Sequence, residues 1–161
     1  MKAVKSILCL ALSAVMLFSF AACGKKNNNN TMNSGSASAA VKYKDGEYKA
    51  SANTYDDQGY KSTVKVTVKD GVLYSVNCDA ESKDEGTKKA HSESGQYDMK
   101  VAGAKHDWHE EIALFEKYVV ENGVDSIKID NAGKTDTITG CTIAVSEYVT
   151  LIREALDKAK E

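Results

Sequence analysis

Ser62-Thr63-Val64-Lys65-Val66-Thr67-Val68-Lys69-Asp70-Gly71-Val72-Leu73-Tyr74-Ser75-Val76-Asn77-Cys78 decides the fold. Val64, Val66 and Val68 alternate with Thr63, Lys65 and Thr67. This is the period of a strand with one face on a core and one in water. Asp70-Gly71 is a hairpin signal, and the next strand sets Val72, Tyr74, Val76 and Cys78 on one face. A two-residue loop would pair Val68 with Leu73 and Val66 with Ser75, apolar against polar. A three-residue loop, Lys69-Asp70-Gly71, pairs Val68 with Val72, Val66 with Tyr74 and Val64 with Val76. The pattern therefore predicts a type I turn closed by a G1 bulge with Gly71 left-handed.

Outward from this hairpin, Gly46 to Ala52 reads as another strand, followed by the polar turn Tyr55-Asp56-Asp57-Gln58-Gly59. Asp79 to Gly103 is polar and predicts a loop with a short helix around His91 to Met99. From Asp107 the period changes. Trp108, Ile112, Phe115 and Val119 form a helical stripe, with Asp107 as cap and Gly123 as stop. Val124 to Asp130 reads as a further strand, and Ser146 to Lys160 as a second amphipathic helix with Val145, Val149, Ile152 and Leu156 facing in. The fold class is α+β, a small antiparallel sheet with an N-terminal β-hairpin against two or three helices.

The first 23 residues have another logic. Lys2 and Lys5 precede an apolar run, Ile7 to Phe20, that is short for a membrane span, and Phe20-Ala21-Ala22-Cys23 resembles a bacterial lipobox. The division is then a signal peptide at 1–22, a lipid-anchored linker at 23–41 and a domain at 42–161, with Cys23 acylated. A simple secretory signal cut nearby is the alternative. The linker is polar, small and aperiodic, which predicts a flexible tether. Lipidation would place the protein on the extracytoplasmic face of a cell membrane, of Gram-positive type, with the lipid bilayer as a partner.

The chain has 161 residues, a formal charge of −2, 27% charged residues and no proline, with a mean hydropathy of −0.40. This excludes a polytopic membrane protein, and the near-neutral balance argues against nucleic acid as a partner. Cys78 and Cys141 are the cysteines of the domain; they read either as one disulfide or as two half-buried thiols. His106-Asp107-Trp108-His109-Glu110 could put two imidazoles on one helical face, but no second ligand pair supports a metal, and His91 reads as exposed. No serine stands in a nucleophile-elbow context. Tyr55, Tyr60, Tyr97 and Trp108 could stack on a planar ligand or simply pack.

Asp136-Thr137-Ile138-Thr139-Gly140-Cys141-Thr142 is a run of small hydroxyl residues around a glycine, in a connection leading into a helix. A helix start offers free N–H groups and partial positive charge, so a phosphate near Thr142 would be stabilised there. Simple helix capping by the threonines is the plainer reading.

Asp136-x-x-Thr139-Gly140-x-Thr142 resembles the flavinylation motif of FMN-binding domains, shared by peripheral subunits of sodium-pumping quinone reductases and Rnf complexes and by small extracellular electron-transfer flavoproteins. Lys44-Asp45-Gly46-Glu47-Tyr48 resembles the opening of these domains, and Val64 to Gly71 their first hairpin. Tyr55 to Lys61 is similar to the lipoprotein branch called major membrane immunogens. The resemblance covers about residues 43 to 156.

The resemblance implies covalent FMN, joined by an FMN transferase as a phosphoester to Thr142, with Asp136, Thr139, Gly140 and Cys141 forming the attachment loop before the C-terminal helix. Cys141 stands where the family has alanine, and Ile143-Ala144-Val145 replaces a hydroxyl-bearing tail. The implied protein is a redox carrier rather than a self-sufficient catalyst, a monomer that takes electrons from a membrane quinone or NADH oxidoreductase and passes them to extracellular acceptors. Two other classes compete. One is a lipoprotein holding FMN or another small ligand noncovalently. The other is a structural or signalling lipoprotein whose signal peptide yields a pheromone.

Overall fold

A computed structural model describes residues 43–160. The expected signal peptide, the Cys23 anchor and the tether lie outside the described residues. The elements are β1 (Gly46–Ser51), β2 (Tyr60–Lys69), β3 (Val72–Ser82), α1 (Lys88–Glu93), α2 (Trp108–Asn122) and α3 (Ser146–Asp157), with single 3₁₀ turns at Lys100–Ala102 and Val124–Ser126. The strands form one antiparallel sheet in the order β1-β2-β3. Helix α3 packs on β1 and β2, and α2 on β3. The fold is α+β, as the sequence pattern predicts. No helix among the described residues is long and apolar enough to cross a membrane.

The alternation in β2 works as read: Val64, Val66 and Val68 are buried. The turn after it differs. Lys69 pairs with Val72, so the loop is the two-residue Asp70-Gly71, and both residues have positive φ, 54° and 76°. This is the backbone of a type I′ turn, whose twist matches the strands it joins, and Asp-Gly is among its preferred sequences. The bulge is present but sits further along. The register slips between Thr67 and Val68, which leaves Tyr74 as the extra residue of β3. That residue reverses the parity of β3. Leu73 packs toward the core before the bulge, and Val76, Cys78 and Ala80 after it. Val72 and Tyr74 are therefore not on the core face and stay 61% and 59% exposed.

Three other boundaries move. Strand β3 runs on to Ser82, where its N–H donates to Gly86 O. The short helix begins at Lys88 rather than near His91, with the Thr87 side chain accepting the Ala90 N–H as its cap. Val124 to Asp130 is not a strand. Val124 and Ile127 are buried and give the stretch its strand-like look, yet the Lys128 N–H donates to the Thr137 hydroxyl, 3.4 Å, where a strand would find a backbone neighbour.

Helix α2 starts and stops as predicted. Glu110 accepts the Asp107 N–H at 2.8 Å, Gly123 ends the helix, and Trp108, Ile112, Phe115 and Val119 face the core. In α3, Val149, Leu151, Ile152, Ala155 and Leu156 are buried. Burying a Val, Leu, Ile or Phe side chain stabilises by about 1.5–3 kcal/mol. This two-layer core, with Phe115, Ile112, Ile152 and Val66 at its centre, fixes the ends of α2 and α3 between which the loop 130–145 is strung.

Candidate functional site

The loop 130–145 begins with a tight turn. Asp130 Oδ1 accepts the N–H groups of Ala132 and Lys134, both at 2.8 Å, and Gly133 turns with φ 76°. The Gly133 carbonyl then accepts the N–H groups of Val145 and Ser146, at 2.7 and 3.1 Å. These donors lie at the very start of α3, so part of the helix terminus is occupied from within the chain. Thr142 lies four residues before Ser146, outside the helix.

The amides at Thr142 have a different partner. Glu111, on the buried face of α2 and 1% exposed, accepts the Thr142 N–H at 2.5 Å and the Ile143 N–H at 3.0 Å through Oε2. The Thr142 hydroxyl lies 3.0 Å from each carboxylate oxygen. One carboxylate thus closes the loop and fixes the direction of the threonine Oγ. The amides beside the Thr142 hydroxyl are held by that carboxylate, and they precede the helix start rather than belong to it. Of the motif residues, Asp136, Thr139 and Thr142 are exposed and Cys141 is buried. Gly140 has φ 86°, and a Cβ there would come within 3.2 Å of Leu114.

Thr142 forms part of the wall of a cleft of about 490 Å³, together with Tyr60, Lys88, Tyr97, Trp108 and Tyr148. Three of the four stacking candidates therefore meet there. Tyr55 does not line it; its ring lies 5.3 Å from the ammonium groups of Lys61 and Lys83. Tyr60 and Tyr97 meet edge to face at 5.8 Å. Trp108 leans on Tyr148 at 6.3 Å. Burial pushes the hydroxyls of both Tyr60 and Tyr148 above the ordinary tyrosine range.

At the back of the cleft is Lys88, 8% exposed. Its ammonium lies 4.8, 4.5 and 5.4 Å from the ring centroids of Tyr60, Tyr97 and Trp108, and donates to Gln58 Oε1 at 3.3 Å. Helix α1 aims it. Neighbouring residues on a helix point about 100° apart, so Lys89 turns the other way. It pairs with Glu116 at 2.6 Å, and its N–H donates to Asp79. Ser92 joins α1 to α2 by accepting the His109 N–H at 3.1 Å, with its hydroxyl 2.9 Å from His109 Nδ1. These bonds hold a six-residue helix in place and leave Lys88 facing the cleft.

The histidines serve packing contacts. His91 is half-buried rather than exposed, with Nδ1 2.8 Å from the Tyr60 hydroxyl, and among the described residues no three His, Cys, Asp or Glu side chains converge. Cys78 and Cys141 are both free and fully buried rather than half-buried. Burial, with the Glu111 carboxylate adding to it, pushes the Cys141 thiol up to about 11. Burial likewise raises the Cys78 thiol well above its ordinary value.

The sequence pattern singles out neither Glu111 nor Lys88. A signal for Glu111 exists, since it falls three residues after Trp108 and one before Ile112, inside the apolar stripe of α2. A carboxylate on a core-facing stripe requires partners. Lys88, in a run of charged and polar residues, carries no such mark.

No protein-family model matches the chain, and no curated protein does. Solved structures do. The solution NMR structure of a structural-genomics protein from Clostridium thermocellum is 39% identical, with 73% of this chain and 93% of that chain covered and a TM-score of 0.56. The chain belongs to the family of that clostridial protein. The crystal structure of the CPE2226 protein from Clostridium perfringens is 24% identical, covering 73% of this chain and 88% of that one, with a TM-score of 0.56. At that identity it shares the fold with this member of the clostridial family.

Proposed function

We propose that this protein is a lipid-anchored electron carrier on the extracytoplasmic face of the membrane, with FMN joined through its phosphate to the Thr142 hydroxyl. The single observation that carries the reading is the place of Thr142. Its Oγ is held by a buried carboxylate on the wall of an aromatic-lined cleft. The motif Asp136-x-x-Thr139-Gly140-x-Thr142 supports it from the sequence.

The residues fit the group. A volume of about 490 Å³ lies in the range of roughly 300–1,000 Å³ common for cofactor sites, and the aromatic walls are interleaved with polar and charged side chains, Asp56, Lys88, Lys134 and Glu147 among them. When bound, the flavin supplies the electron chemistry, and the protein supplies position and electrostatics. Thr142 would offer the oxygen of the phosphoester, with AMP as the group released from FAD by the transferase. Glu111 orients that oxygen by accepting from its hydroxyl and lies where the departing proton is released. Tyr60, Tyr97 and Trp108 line the space beside it. Gly140, lacking a Cβ, lets the loop pack closely against Leu114. The donor in this reading is a membrane quinone or NADH oxidoreductase, and the acceptors are extracellular.

A second reading, noncovalent binding of FMN or another anionic ligand, is favoured by one observation: Glu111 already occupies the Thr142 and Ile143 amides. Intact and peptide masses of the protein produced with an active FMN transferase separate the two. A gain equal to FMN less one water, on the peptide containing Thr142 and absent from Thr142→Ala, is the expected result. No gain, with a control substrate modified in parallel, refutes covalent attachment.

A further inference from the structure

The cleft contains one feature that neither the flavinylation motif nor the attachment loop uses. A buried ammonium is expensive unless it is paired, and among the described residues Lys88 has no carboxylate partner. Its stabilisation comes from the ring faces of Tyr60, Tyr97 and Trp108 and from one amide oxygen. A cation over a ring face gains about 0.5–2 kcal/mol, and one neutral acceptor at 3.3 Å satisfies one of the three N–H donors of an ammonium. The other donors belong to a group that helps to line the cleft.

This arrangement selects for charge and shape. The three rings already hold one cation, and Lys134 lines the same cleft, with Asp56 and Glu147 as its carboxylates. A ligand that completes the coordination of Lys88 must bring an acceptor, best an anionic one, on the edge of a body that fits the cleft lined by Tyr97 and Trp108. We propose that Lys88 is the anion-recognition residue of this cleft, contacting the negatively charged edge of a planar heterocycle. Resting on the flavin reading above, that edge is the N1 and C2 carbonyl side of the isoalloxazine, where negative charge gathers when the ring gains electrons. Lys88 then favours the reduced ring over the oxidised one and raises the potential of the carrier.

The test uses the full-length lipoprotein, flavinylated by the transferase, as wild type, Lys88→Met, Lys88→Arg and Gln58→Glu. Methionine removes the charge at nearly the same shape. The Gln58→Glu change sets a carboxylate against the Lys88 ammonium and neutralises it from the other side, so the test survives if Lys88→Met does not fold. The readouts are the midpoint potential and the affinity for sulfite, which adds its lone pair to the ring and leaves negative charge on the N1 and C2 carbonyl edge. Both neutralising variants should keep the FMN mass, bind sulfite about tenfold more weakly and lower the potential by about 30 mV, the value of one tenfold step for a two-electron couple. Lys88→Arg should stay near wild type. Flavinylated variants with unchanged sulfite affinity and potential overturn this proposal and leave the flavin reading standing. A wild-type chain with no mass gain overturns the covalent flavin reading instead.

Discussion

Glu111→Ala tests whether one carboxylate holds the loop 130–145. The side chain accepts two backbone N–H groups and the Thr142 hydroxyl. Hydrogen bonds to a charged acceptor contribute about 1.5–3 kcal/mol each, so the gross loss is roughly 4–9 kcal/mol by the same measure. Against it stands the desolvation of a buried carboxylate, several kcal/mol, which the substitution relieves. Thr142 is exposed, so water reaches the freed amides once the loop parts from α2. The net destabilisation should be about 2–4 kcal/mol, the difference between those two terms. With a urea slope of about 2 kcal/mol per M, the midpoint should fall by about 1–2 M.

Glu111→Leu serves as the companion, since it fills the space without accepting a bond and thus separates the cavity from the lost hydrogen bonds. Both variants should increase amide exchange at Thr142 and Ile143 selectively. A Glu111→Ala protein with an unchanged midpoint and unchanged protection at these two amides would refute the assignment of Glu111 as the loop's anchor.

Gly133→Ala should destabilise by about 1–3 kcal/mol, more than Gly123→Ala, in urea melts. Both glycines have positive φ, but a Cβ on Gly133 would lie 2.7 Å from Ser146 Oγ, whereas nothing lies within 4 Å of one on Gly123; equal losses would count against this. Acid should loosen residues 99–107 before the core. Lys100 holds Asp107 and Glu110 below their ordinary values of 3.8 and 4.5. Their contribution is complete above those values and is lost as pH falls through the lower, folded ones. Exchange of the Met99 amide, which donates to Asp107 Oδ1, should rise there relative to its intrinsic rate, and no change would refute the linkage. Finally, Cys78 and Cys141 should react with a disulfide reagent far more slowly in the native protein than in urea, since both are buried and their thiols are pushed up by burial. Fast native labelling of either would contradict their burial.

How much of this was legible in the sequence depends on where each constraint is located. Alternation in β2 and the stripes of α2 and α3 are local records of which face is buried, so they could be read directly. The slip at Tyr74 is not local. Asp-Gly sets a type I′ turn from its own backbone preference, the core needs Val76, Cys78 and Ala80 on the inside, and the bulge reconciles the two. Helix α1 is too short to hold itself; the Lys89–Glu116 pair and the Ser92–His109 bonds hold it, and both partners are distant in sequence. Val124 and Ile127 carried a true burial signal without a strand to express it.

The site divides in the same way. Thr142 was visible because a motif is contiguous, whereas the groups that give it an environment come from two other elements, Glu111 from α2 and Lys88 from α1. They have opposite charges and opposite logic. Glu111 has three donors from one loop and is nearly enclosed, so its role is finished within the fold. Lys88 is about as buried but has one amide acceptor and three ring faces, so its coordination is completed only from the cleft. A buried charge that served the fold alone would be replaced without loss by a hydrophobic group of similar volume. If Lys88→Met melts at or above the wild-type midpoint while sulfite affinity falls, the ammonium is held at a cost in stability for the sake of what enters the cleft.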